Sequence, residues 1–276
     1  MSLIEEVMRR QAHERAAAAP ALHPANGMPS TPRAARPLLT PAPEAPAQTF
    51  RTATVDPEVM ERNRVLLRVQ DVAVSRGYKI LRTRVLHRMA ANNWTTLGIT
   101  GTAAGEGKTI TAINLALALA QDHSTSVFLV DLDLQRPQVG SYLGMSYEYG
   151  LTDYLAGHAE LDQIIYDIGV KRLAVVPNAS PIETSSEQLC SQRMAEFINA
   201  LATQHPRRIV VFDMPPLMVS DDVLAFAPRV DSFLLVVAQG HTARRTLANA
   251  KEVLSEMNLM GVVLNRSTER NDSPYY

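Results

Sequence analysis

From about residue 65 onward, short runs of aliphatic and β-branched residues alternate with longer stretches whose apolar positions recur at helical spacing. The runs at 95–100, 126–131, 173–176, 208–213, 232–238 and 261–264 predict strands, and the stretches at 75–91, 109–122, 186–204, 220–227 and 242–257 predict helices. The strands are apolar nearly throughout rather than on alternate positions, so both faces of the sheet they form must be covered. Strands of that kind separated by helices predict an α/β fold with a doubly wound, mostly parallel sheet. Ligands in such a sheet sit beyond the carboxyl ends of the strands. The residues that close each apolar run are therefore the candidates for chemistry.

The first 60 residues follow a different pattern. Ser2 and Glu5 make a capping box, and Leu3, Ile4, Val7 and Met8 line one face opposite Glu6, Arg9 and Arg10, which predicts a short amphipathic helix over 1–18. Two readings fit it: a tethered helix that docks on a membrane protein or the bilayer surface, and a frayed N-terminus. Prolines and alanines dominate 21–49, with almost no aromatic or β-branched residues, so 19–60 is expected to be a flexible, disordered linker. A globular domain over 61–266 and a mobile tail over 267–276 complete the expected organisation.

Composition narrows the class. At 276 residues and 46% hydrophobic content the chain can bury one substantial core, and 27 basic against 28 acidic residues leave a net charge of −1. No polyanion binder is implied by that balance. The single cysteine, Cys190, excludes an internal disulfide. No apolar run approaches a membrane span, and residues 1–20 lack the apolar centre of a secretion leader, so a soluble or peripheral protein is expected.

The strand at 95–100 runs into Gly101-Thr102-Ala103-Ala104-Gly105-Glu106-Gly107-Lys108-Thr109-Ile110. Small residues let such a loop curl so that its N–H groups meet phosphate oxygens at a helix N-terminus, with Lys108 reaching the terminal phosphates and the Thr109 hydroxyl ligating Mg²⁺. The common phosphate-loop pattern asks for Gly six residues before the Lys. Here Thr102 holds that place and the glycine stands one earlier, at Gly101. Two further strands close on acids, one in Asp131-Leu-Asp133-Leu-Gln-Arg136-Pro137 and the other in Asp213-Met-Pro215-Pro216. An Asp after a strand is ordinarily a turn former. Three such strand ends in this order instead suit metal binding and phosphoryl transfer.

A phosphate loop, an apolar strand ending in Asp-x-Asp-x-x-Arg-Pro, and another ending in Asp-x-Pro-Pro resemble the Walker A, A′ and B segments of the bacterial tyrosine kinases (BY-kinases) of the CpsD/CapB type, relatives of the ParA/MinD ATPases. The resemblance runs from about Ser75 to Arg266 and includes Asn178 to Ser191 and Gly261-Val-Val-Leu-Asn265. The opening Ser-Leu-Ile-Glu-Glu and the Pro-rich linker are similar to the branch associated with exopolysaccharide and PEP-CTERM loci. The resemblance implies an ATP- and Mg²⁺-dependent protein-tyrosine autokinase that regulates exopolysaccharide or capsule synthesis or export. It would work at the inner face of the cell membrane, docked on a membrane-bound polysaccharide co-polymerase or activator. Carried over by position, the loop from Gly101 to Ile110 binds the nucleotide, and Thr109, Asp131 and Asp213 serve the metal. Asp133 is the base for the tyrosine hydroxyl, Asn265 contacts adenine, and Tyr275 and Tyr276 are the phospho-acceptors.

Three departures stand out. Ala104 replaces a usual proline. The family's Glu-x-x-Arg-x-x-Arg, a helix motif of ring assembly, reads Arg76-x-x-Lys79-x-x-Arg82, and this sign reversal speaks against a homo-oligomeric ring. With Arg62, Arg64, Arg68, Arg84 and Arg88 nearby, the region fits either a solvated basic face or a surface for an acidic partner or anionic lipid; no nucleic acid partner is expected. The acceptor cluster is only two tyrosines, on a tail whose roughly ten residues reach a neighbouring site at about 3.3 Å each. Two alternatives therefore stay open: a ParA/MinD-like ATPase switch, and a non-kinase ATP-binding subunit of the polysaccharide machinery. Ala103 stands where the switch proteins carry a second lysine, which counts against the first.

Overall fold

The computed structural model describes residues 50–67, 72–178, 180–203 and 207–267. They form an eight-stranded sheet: β1 (Arg51–Thr52), β2 (Thr96–Gly101), β3 (Ser126–Asp131), β4 (Tyr166–Asp167), β5 (Leu173–Val176), β6 (Arg208–Asp213), β7 (Ser232–Ala238) and β8 (Leu259–Asn265). The spatial order is β1-β4-β5-β3-β6-β2-β7-β8. The β5-β3-β6-β2-β7-β8 strands run parallel, and β4 joins antiparallel to β5, with β1 parallel to β4. The helices are α1 (Pro57–Arg62), α2 (Val72–Asn92), α3 (Lys108–Leu119), α4 (Val139–Leu143), α5 (Leu151–Ala156), α6 (Leu161–Ile164), α7 (Ser185–Cys190), α8 (Gln192–Thr203), α9 (Asp222–Phe226) and α10 (Arg244–Leu254).

The period-two alternation of a strand divides the core between two faces. Leu97, Ile99, Val127, Leu129, Ile209, Val211, Leu234 and Val236 form one buried cluster with Ile113, Ala116 and Leu119 of α3, Val85 and Met89 of α2, and Met60 of α1. The intervening positions, among them Phe128, Val210, Phe212 and Phe233, are buried as well, and Phe212 meets Phe226 of α9 edge to face at 5.2 Å. Helix α3 is buried along almost its whole length, including the polar Asn114. That side chain takes the Leu66 N–H on its oxygen and donates to the Arg64 carbonyl, fastening the segment ahead of α2 to the phosphate-loop helix.

Two expectations need correction. Residues 50–60, assigned to the linker, enter the fold: β1 pairs with β4, Asp56 caps α1 by accepting from the Glu58 and Val59 N–H groups, and Met60 is buried. Their few apolar residues find cover on a neighbouring strand and on α4, which local composition does not reveal. The single helix expected over 186–204 is two, α7 and α8. The chain turns extended at Ser191, whose hydroxyl oxygen accepts the Met194 N–H as a cap. The expected helix over 1–18, the linker up to residue 49, Arg68, and Tyr275 and Tyr276 lie outside the described residues.

Candidate active site

Parallel strand direction brings the ends of β2, β6 and β3, adjacent in the sheet, to one edge. Asp131 and Asp213 are register partners across β3 and β6, and Asp213 pairs with Ile99 on β2. The two strand-end acids therefore lie side by side, next to the loop that leaves β2. Lys108 and Thr109 open α3 there and are both nearly buried. Gly107, at φ +90°, is in the left-handed region, and the helix has no side-chain cap. Its first N–H groups have no intrahelical acceptor, which leaves an anion-binding end directed at the loop.

Electrostatics distinguish the three aspartates. Asp213 is 1% exposed and neither carboxylate oxygen has a hydrogen-bond partner. Burial pushes its pKa up to about 7, against the pull of the Thr109 hydroxyl, close by but outside hydrogen-bond geometry, and of the Lys108 ammonium. Asp131, fully buried, is also pushed well above the usual range, first by burial and then by the charge of Asp213. Its oxygens are engaged: one accepts the Gln138 and Val139 N–H groups at 2.9 and 2.8 Å, anchoring the start of α4, and the other faces the Asp133 N–H. Asp133 is half-buried, holds the Arg136 N–H, and is raised by burial, with Lys108 opposing.

An unpartnered buried carboxylate is costly in a protein, and a hard divalent cation satisfies it with an oxygen ligand. Asp213 with the Thr109 hydroxyl therefore fits Mg²⁺, and the uncapped helix end with Lys108 fits a nucleotide's phosphates. Among the described residues, no group of three or more His, Cys, Asp and Glu side chains forms a closed metal cage.

Without metal, the raised pKa of Asp213 has a defined consequence. A carboxyl bound more tightly by protons in the folded state contributes stability that is complete below its unfolded value, near 3.8, and is lost as pH rises through about 7. At about 1.4 kcal/mol per pKa unit the loss is of order 4 kcal/mol. The metal-free protein should thus melt at a lower temperature at pH 8 than at pH 5. Asp213→Asn should flatten that dependence and raise the melting temperature at pH 8. An unchanged pH profile in this variant would show that Asp213 is not the titrating group. Asp131 acts in the same direction and preserves part of the slope.

The loop itself is held by side chains to which the sequence pattern assigned other roles or none. The Glu106 carboxylate, expected only as part of the nucleotide-binding stretch, turns inward and is fully buried. The Asn265 amide donates to the Glu106 carbonyl, and its oxygen accepts the Arg266 N–H, so the polar atoms assigned to adenine brace the loop. The Arg266 guanidinium reaches the Gly105 carbonyl, and a His241 ring nitrogen lies 3.1 Å from the Ala104 carbonyl. Near Asp133, Gln135 of the loop after β3 bonds Ser185 of α7, whose hydroxyl donates to the buried Asp222. These partners stand far from the loop in sequence, and only the parallel order of the strands makes them neighbours.

The model of the CobQ/CobB/MinD/ParA nucleotide binding domain matches residues 97–275. The tyrosine-protein kinase YwqD of Bacillus subtilis is 28% identical over 218 residues, covering 78% of this chain and 91% of that protein. The tyrosine-protein kinase CpsD of Streptococcus agalactiae is 31% identical over 176 residues, 63% of this chain and 75% of that protein. Among solved structures, the kinase domain of the Escherichia coli tyrosine kinase ETK superposes with a TM-score of 0.63 at 27% identity, covering 72% of this chain and 77% of that one.

Proposed function

Because the chain belongs to the CobQ/CobB/MinD/ParA nucleotide-binding family and, within it, to the bacterial tyrosine kinases, we propose that it is an ATP-dependent protein-tyrosine autokinase serving exopolysaccharide or capsule production. The observation that carries this reading is the orphaned carboxylate of Asp213 beside Asp131, Lys108 and Thr109 at one end of adjacent parallel strands. Phosphoryl transfer asks chiefly for positioned reactants and neutralised charge. The loop from Gly101 to Ile110 binds the ATP phosphates, and Lys108 faces the transferred group. Thr109 and Asp213 would hold Mg²⁺, with Asp131, engaged in backbone hydrogen bonds, beside them. When bound, the ion would supply neutralising charge for the phosphate oxygens. Asp133, more exposed than the other two acids, receives the proton of the incoming tyrosine hydroxyl. Asn265 is the residue this reading sets against adenine, and its side chain already braces the loop through the Glu106 carbonyl.

The acceptors in this reading are Tyr275 and Tyr276, and the activator is a membrane-bound co-polymerase that holds the kinase at the inner face of the membrane. Among the described residues, no helix is long and apolar enough to cross a membrane. Changing Tyr275 and Tyr276 together to Phe should lower phosphotyrosine on the chain at least about tenfold while leaving the Kd for Mg·ATP within about twofold. Mass spectrometry after incubation with Mg·ATP, with and without the activator's cytoplasmic segment, reads the first quantity and calorimetry the second. Undiminished phosphotyrosine would move the acceptor elsewhere. ATP hydrolysis with no phosphotyrosine under either condition would leave an ATPase switch in its place.

A further inference from the structure

The side chain of Glu106 lies within the phosphate loop and is fully buried. One oxygen accepts the Thr102 N–H at 2.6 Å and the Ala103 N–H at 3.0 Å, and the other accepts the Thr102 hydroxyl at 2.6 Å and the Thr242 hydroxyl. Thr242 in turn accepts the Ala238 N–H at 2.9 Å, tying the carboxylate to the end of β7. Every contact is a donor to the carboxylate, and charge-assisted bonds of this kind are the strong ones. A Cβ at Gly101 would lie 2.4 Å from the Glu106 oxygen and 3.0 Å from Lys108, so glycine is required at this position for the carboxylate to enter.

We propose that Glu106 is a positioning residue for nucleotide binding: its carboxylate moulds the first half of the phosphate loop, and Thr242 on the β7–α10 corner holds that carboxylate in place. The amides of Thr102 and Ala103 are thereby turned to an internal acceptor. Phosphate recognition then falls to the second half of the loop and to the N-terminal end of α3, where Lys108 and Thr109 stand. The arrangement sets ground-state affinity for the polyphosphate rather than the chemical step, because Glu106 faces the protein and not the reacting atoms. It also makes the corner after β7 a determinant of nucleotide affinity. This inference rests on the nucleotide-binding reading of the loop and adds the residues that shape it.

The test uses the full chain and two measurements: the Kd for Mg·ADP by calorimetry and the KM and kcat for Mg·ATP. Glu106→Gln keeps the size but supplies one accepting oxygen where two are needed, and Thr242→Val keeps the shape and loses the hydroxyl. Both should raise Kd and KM, by at least about tenfold for Glu106→Gln and about threefold or more for Thr242→Val, with kcat at saturation changed less than about threefold. Thr242→Ser, which restores the hydroxyl, should bind as the unaltered protein does. Should Glu106→Gln fail to fold, the Thr242→Val and Thr242→Ser pair decides alone. Unaltered Kd in Thr242→Val, a loss confined to kcat, or failure of serine to restore affinity overturns the proposal. If the unaltered chain binds neither nucleotide, it is the nucleotide-binding reading itself that fails.

Discussion

Lys108→Met should reduce tyrosine phosphorylation by about 10³-fold or more, while the protein stays folded. Lys108 lies nearly buried at the first turn of α3, and its ammonium lowers the proton affinity of both Asp213 and Asp133. Methionine fills a similar unbranched volume, so the packing around it survives. What disappears is a preorganised positive charge at the point where negative charge accumulates, and removing one such donor typically costs about 10²–10³ in rate. Weaker ATP binding adds to that loss. The two carboxylates then face each other without a cation, and both shift further toward their protonated forms. A time course of phosphotyrosine at saturating Mg·ATP, with a melting curve as control, checks the outcome. Retention of more than about a tenth of the rate would remove Lys108 from the transferring machinery.

Asp133→Asn should separate the two halves of the reaction. The amide keeps an oxygen for the Arg136 N–H, so the loop after β3 holds its shape. It cannot receive a proton. Transfer to tyrosine should fall by about 10²–10⁴, the usual contribution of a positioned base, while the Kd for Mg·ATP stays within about twofold. Because burial raises the proton affinity of Asp133, the unaltered enzyme should lose activity on the acid side as this group becomes protonated. An Asp133→Asn variant that transfers phosphate at the unaltered rate would show that the hydroxyl needs no base here, an outcome compatible with a loose transition state.

Much of this arrangement could be read from the chain because it is local. The apolar runs at 126–131, 173–176, 208–213 and 232–238 coincide with β3, β5, β6 and β7, since a strand buried on both faces leaves a contiguous apolar signature. The acids that close β3 and β6 were visible for the same reason: a charge ending such a run is conspicuous. Two-residue strands carry no such pattern. β1 and β4 exist only through pairing with one another and with β5, and their period is too short to register. The break at Ser191 was hidden because apolar spacing continues across it from Leu189 to Met194 and Phe197, all buried. In the candidate site, residue types and order pointed to the loop and the aspartates, which the fold brings together, but not to which oxygens are free. That Asp131 is engaged by the start of α4 while Asp213 is not follows from where Gln138 and Val139 fall in space.

The glycine that stands one place early in the phosphate loop has a further consequence. The space left by its missing Cβ is taken by the Glu106 carboxylate, so a side chain cannot be added at 101 while that carboxylate is in place. A side chain at 101 is admissible only where 106 is short, and a carboxylate at 106 only where 101 is glycine. The order in which the two positions could be altered is therefore not free: 106 must be shortened before a side chain is added at 101, and the Val236 carbonyl and Lys108 would still crowd that side chain at 3.0 Å each.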